Sequence, residues 1–122
     1  MFTIRYARDA DALPDPRLRD WLLHENPFLA EQQPEGTDWA PDDTGWLVVL
    51  EPDDNPRNLC TGVEAVSDLD GIDCWEWAVF NEDLDMWNAV VILGDSFGLA
   101  FAIPGALVRG TALQARLEEV LP

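Results

Sequence analysis

Apolar and polar positions alternate through three successive stretches late in the chain, and these give the first elements. Trp75, Trp77 and Val79 are read on one face of a strand, with Glu76, Ala78 and Phe80 on the other. Asn81 to Asp85 has turn chemistry, Trp87 to Leu93 runs back, Gly94-Asp95-Ser96 turns again, and Phe97 to Ile103 returns. The pattern predicts a three-stranded antiparallel meander. In its last strand Phe97, Leu99, Phe101 and Ile103 are large, whereas Gly98, Ala100 and Ala102 are small. One face is therefore thick, and the other admits close approach by a helix. A C-terminal helix over about Thr111 to Val120, with Leu113, Leu117 and Val120 at i, i+4 and i+7, is expected to supply that cover.

Earlier in the chain the pattern is more broken. Phe2 to Ala7 alternates as a half-buried strand does, and Trp46 to Leu50 is a short apolar run of the kind found in buried strands. Between them, Asp15-Pro16 reads as an N-cap followed by proline at the first helical position. Leu18, Trp21 and Leu22 then share one face, which predicts a helix over Pro16 to Glu25 that ends before Asn26-Pro27. Phe28 to Gln33 has room for one more turn before Pro34 and Gly36 stop it. Residues 34 to 45 and 51 to 73 are rich in turn residues, with a short strand at Val63 to Val66. The expected fold is α+β in a single domain, residues 1–122. An antiparallel sheet of about four to five strands, ending in the three-stranded meander, carries an N-terminal and a C-terminal helix packed on one face.

Composition supports a folded core. Of 122 residues 48% are apolar, and six are tryptophan, so the chain can bury enough surface to fold as one unit. Trp21, Trp46, Trp75 and Trp77 fall on apolar faces and are expected in the core. No apolar run approaches the eighteen or so residues of a membrane span, and Met-Phe-Thr-Ile-Arg-Tyr lacks the marks of a signal peptide. The expected location is cytoplasmic, where Cys60 and Cys74 are free thiols.

Charge changes the picture most. The chain carries a net charge of −17, and fifteen of those charges come from residues 31–85, where sixteen carboxylates face one base, Arg57. The flanks hold eight acids and six arginines, so they are nearly balanced, and there is no lysine anywhere. Adaptation to high salt would spread acid over the whole surface, and the balanced flanks argue against that reading. A domain of this length is roughly 35 Å across, and duplex DNA carries about twenty charges over such a span. The acidic stretch approaches that density. Such a surface repels nucleic acid and anionic membranes and attracts strongly basic proteins.

Three motifs invite chemistry. Gly94-Asp95-Ser96-Phe97-Gly98 matches G-x-S-x-G, but a nucleophile elbow requires a helix after the serine, and here a strand follows, with His24 as the only histidine. Asp68-Leu69-Asp70-Gly71-Ile72-Asp73 is an acidic turn of the type that can hold a hard cation, but it lacks the spacing of a calcium loop. Trp39, in an acidic proline-containing loop, and Trp87, at the mouth of a turn, are aromatics at an acidic rim of the kind that anchor interfaces.

The expected function is therefore a non-enzymatic acidic binding protein that blocks the basic, nucleic-acid-binding surface of a partner protein. It would act as a DNA-mimic-like decoy or as a nuclease immunity or inhibitor protein. The residues expected to meet the partner are Asp38, Trp39, Asp42, Asp43, Asp53, Asp54, Asp68, Asp70, Asp73, Glu82, Asp83 and Asp85. No catalytic residue, metal ligand or cofactor is expected, nor direct contact with nucleic acid or membrane. The competing readings are a small metal-binding or hydrolytic protein using the Asp68–Asp73 turn, and an acidic halophilic housekeeping domain.

Overall fold

The computed structural model describes residues 1–4, 7–25, 46–59, 68–92 and 98–122. Among them five strands form one sheet: β1 (Phe2–Ile4), β2 (Trp46–Val49), β3 (Trp77–Asn81), β4 (Met86–Ile92) and β5 (Gly98–Pro104), in the spatial order β1-β2-β5-β4-β3. The meander is as expected: β3 pairs β4 and β4 pairs β5, both antiparallel, with Ala78 opposite Ala89 and Val90 opposite Ala100. β2 lies parallel to β5, with Val48 opposite Phe101, and β1 closes the other edge antiparallel to β2. A mostly antiparallel sheet thus contains one parallel pair that no local pattern announces.

Among the described residues the helices are α1 (Pro16–Glu25), α2 (Gly105–Val108) and α3 (Ala112–Glu119), with 3-10 turns at Ala7–Ala12 and Leu69–Gly71. α1 has the predicted bounds, and the Asp15 carboxylate accepts the Arg17 N–H at 2.9 Å, as an N-cap should. α3 is capped by Thr111, whose Oγ1 accepts the Gln114 N–H at 3.4 Å. The first strand ends at Ile4, and Ala7–Ala12 is a 3-10 turn. The short helix at Phe28–Gln33, the 34–45 loop and the strand at Val63–Val66 lie outside the described residues.

Both faces of the sheet are covered, which corrects the expectation that the two helices share one. Leu99, Phe101 and Ile103 of β5 pack with Val108, Leu113 and Leu117 of α2 and α3. Ala100 and Ala102 pack on the opposite side with Leu22 of α1 and with Ala10 and Leu13. The thin face therefore does admit a helix closely, but that helix is α1. α3 meets the thick face, where its leucines interdigitate with large side chains and bury more apolar area.

β3 brings a second correction. The strand begins at Trp77, so Trp75 precedes it and the alternation does not extend back to it. Trp75 packs edge-on against Phe101, centroids 5.9 Å apart at 82°, on the α3 face, whereas Trp77 packs on the α1 face. Trp87 is also core, 5% exposed and 5.0 Å from Phe80, and not an aromatic at an open rim. Strand β4, with its Val90-Val91-Ile92 run, is interior. The edge on this side, β3, is guarded at Ala78, whose N–H donates to the Val120 carbonyl at 3.4 Å.

Candidate protein-binding surface

The strand registers decide where the acids gather. Phe2 pairs Val49, Val49 pairs Ala102, and Met86 pairs Pro104. These pairings bring Met1, the loop from Glu51, the Glu82–Asp85 turn and α2 to the same end of the sheet. Asp68–Asp73 lies apart, on the α3 face. Leu69 is buried there, and Arg116 of α3 donates to the carbonyls of Asp70 at 2.6 Å and Ile72 at 3.3 Å.

At the sheet end the carboxylates differ in what they touch. Glu51 and Asp54 both hold the Met1 ammonium, at 2.8 and 3.3 Å, and Asp54 also accepts the Glu51 N–H at 2.7 Å. The hydrogen bond from the ammonium to Glu51 raises the amine's pKa from its ordinary 8.0; burial opposes it, and Asp54 adds to it. Asp85 adopts a left-handed conformation (φ 51°), which an aspartate tolerates better than most residues. Its carbonyl accepts the Gly105 N–H at 2.7 Å, and its carboxylate accepts from Arg109 at 2.6 Å. A Cβ at Gly105 would run into the Asp85 carboxylate, which would have to shift. Within the turn, Asn81 Oδ1 accepts the Leu84 N–H at 3.1 Å. Asp53, Glu82 and Asp83 are exposed beside these groups, and none meets a cation among the described residues.

On the α3 face, Asp70 pairs with Arg57 at 2.5 Å and holds the guanidinium pKa above its usual value. Asp68 caps the 3-10 turn by accepting the Asp70 N–H at 2.9 Å. Asp73 is exposed. The carboxylates at the ends of this turn therefore do not converge: Asp70 is turned to an arginine and Asp68 to a backbone amide. Among the described residues no three His, Cys, Asp or Glu side chains are grouped as a metal site.

Of the expected contact residues, the structure brings Asp53, Asp54, Glu82, Asp83 and Asp85 together at the sheet end and sets Asp68, Asp70 and Asp73 on the α3 face. Asp38, Trp39, Asp42 and Asp43 lie outside the described residues, as does Cys60; Cys74 is exposed. The serine motif falls largely outside them too, but the strands flanking it, β4 and β5, pair with Ile92 opposite Gly98. A strand, not a helix, follows the motif, and His24 is exposed at the end of α1.

A cleft that no sequence pattern indicated opens at the same sheet end. It has a volume of about 270 Å³. Its apolar lining includes Phe2, Leu18, Leu84, Met86, Pro104 and Ala106, and its charged lining residues are Asp15, Glu51 and Asp85. A second cleft, of about 350 Å³, is bordered by Phe80 and Leu121, the large apolar residues most exposed in the described part, and carries Arg109 and Glu118 together. The charged residues lining the first cleft are all carboxylates, each paired with a cation that is not itself a lining residue; the second is lined by one charge of each sign. No described helix is long and apolar enough to cross a membrane.

Compared with protein-family models, curated proteins and solved structures, the chain matches none.

Proposed function

We propose that the chain is a non-enzymatic, cytoplasmic acidic binding protein whose carboxylate surface occupies the basic, nucleic-acid-binding surface of a partner protein, as a DNA-mimic decoy or a nuclease immunity protein does. One observation carries the reading. Asp53, Asp73, Glu82 and Asp83 are exposed and meet no cation among the described residues, in a chain of net charge −17 without a lysine. Like charges held this way repel one another and lower stability, while a basic surface brought against them removes that repulsion and is steered to them from a distance. The fold supports the same reading, because its registers bring two acidic loops to the same end of the sheet.

Replacing these four residues by Asn or Gln tests it. The wild-type protein, immobilised, is expected to capture a strongly basic protein from lysate at low salt and to release it near about 0.5 M salt, where screening shortens the reach of charge to a few ångströms. The four-site variant is expected to lose that capture. Equal capture by both proteins would contradict the proposal.

A further inference from the structure

An acidic surface alone attracts any basic protein and does not by itself select one. The cleft at the sheet end supplies a second element. Its apolar lining includes Phe2 of β1, Leu18 of α1, Leu84 of the turn before β4, Met86 at the start of β4, Pro104 at the end of β5 and Ala106 of α2. Asp15, Glu51 and Asp85 line it as well. An apolar centre enclosed by a polar rim is the anatomy of a protein interface, and the volume falls just below the roughly 300–1,000 Å³ of small-molecule sites.

The charges around the mouth favour one kind of occupant. The loops that supply Glu51 and Asp85 also carry Asp53, Asp54, Glu82 and Asp83. Among the described residues the cations paired with these groups are the Met1 ammonium on Glu51 and Asp54, Arg109 on Asp85, and Arg17, which stands 3.8 Å from Asp15 and is 72% exposed. Among the described residues seven carboxylates therefore share three paired cations. An acidic or neutral apolar segment gains nothing from that excess, whereas a basic one is attracted along its whole length.

We infer that this cleft receives an apolar side chain flanked by arginine or lysine, presented by the basic partner protein. The apolar residue fills the cleft over Leu84 and Met86 while its basic neighbours reach the exposed carboxylates of the adjoining loops, Asp53, Glu82 and Asp83. This rests on the acidic-binding reading and adds that recognition is anchored at one place. The second cleft lacks the charge excess and is not the anchor.

The test uses the full chain and three synthetic peptides: one with Leu and Phe set among arginines, one with Ser in place of Leu and Phe, and one with Gln in place of arginine. Binding is titrated at low salt and mapped by amide chemical shifts. The Leu/Phe–Arg peptide is expected to bind about tenfold more tightly than the Ser peptide and to shift Leu18, Leu84, Met86 and Ala106. Ala106→Arg, at an exposed position, is expected to erase that difference, with Leu84→Ser as a second variant should Ala106→Arg fold poorly. If the Leu/Phe–Arg and Ser peptides bind alike and shift Asp53, Asp73, Glu82 and Asp83 instead, the anchor is overturned and the acidic-surface reading stands. Equal binding by the Gln peptide overturns the basic occupant. No binding by any peptide overturns both.

Discussion

Asp53 and Asp54 are neighbours in the chain and differ in every physical respect that matters. Asp54 is partly buried, accepts the Glu51 N–H and holds the Met1 ammonium; Asp53 is exposed and meets no cation among the described residues. The same contrast separates Asp85, bound by Arg109, from Asp83, and Asp70, bound by Arg57, from Asp73. One set of carboxylates is tied to cations elsewhere in the fold. The other set is left to solvent at a cost in self-repulsion. Net charge treats these residues as equivalent, whereas the structure separates those paired within the fold from those left to solvent.

That division can be broken by mutation. The largest effect on stability is expected for Gly105→Ala, whose Cβ would collide with Asp85 and force it from Arg109. The expected loss is about 1–3 kcal/mol by chemical denaturation, and an unchanged midpoint would mean the turn is not seated through Asp85. Asp54→Ala comes next, at about 1 kcal/mol, because it removes the acceptor of the Glu51 N–H along with an ion-pair partner.

A smaller effect is expected from titrating the amine. Its pKa is raised in the folded state, so its contribution is complete below the unfolded value near 8 and is lost as pH rises through the folded value. Acetylation should remove the same contribution, about 0.2–1 kcal/mol for so exposed a pair, and should abolish this part of the pH dependence. The smallest change in stability is expected for Asp53→Asn, Asp73→Asn, Glu82→Gln and Asp83→Asn, each within about 0.5 kcal/mol of wild type. Only this last group is expected to weaken partner capture. A variant of the paired set that loses capture while remaining folded would remove the distinction.

Local pattern made part of this legible. The β3–β4–β5 meander, the Asp15-Pro16 start of α1 and the Leu113/Leu117 stripe of α3 all follow from short-range periodicity and capping chemistry. The parallel β2–β5 pair does not, since hydrogen bonding between distant strands leaves no local mark. The small residues Ala100 and Ala102 announced a close-packed helix without saying which one. Trp75 and Trp77 were misread as sharing a face because the strand starts two residues later than the alternation suggests. The acidic surface was visible as composition, but its division was not: Asp70 meets Arg57 and Asp85 meets Arg109 only after folding. The cleft joins five separated segments and has no sequence signature at all.

The central claim is that the solvent-facing carboxylates take the place of nucleic-acid phosphates on a basic partner. The most direct measurement is competition: the basic protein captured at low salt is challenged with duplex DNA. The account predicts that DNA and this protein exclude one another, with the four-site variant unable to displace DNA. Formation of a ternary complex, in which the partner holds DNA and this protein together, would contradict it.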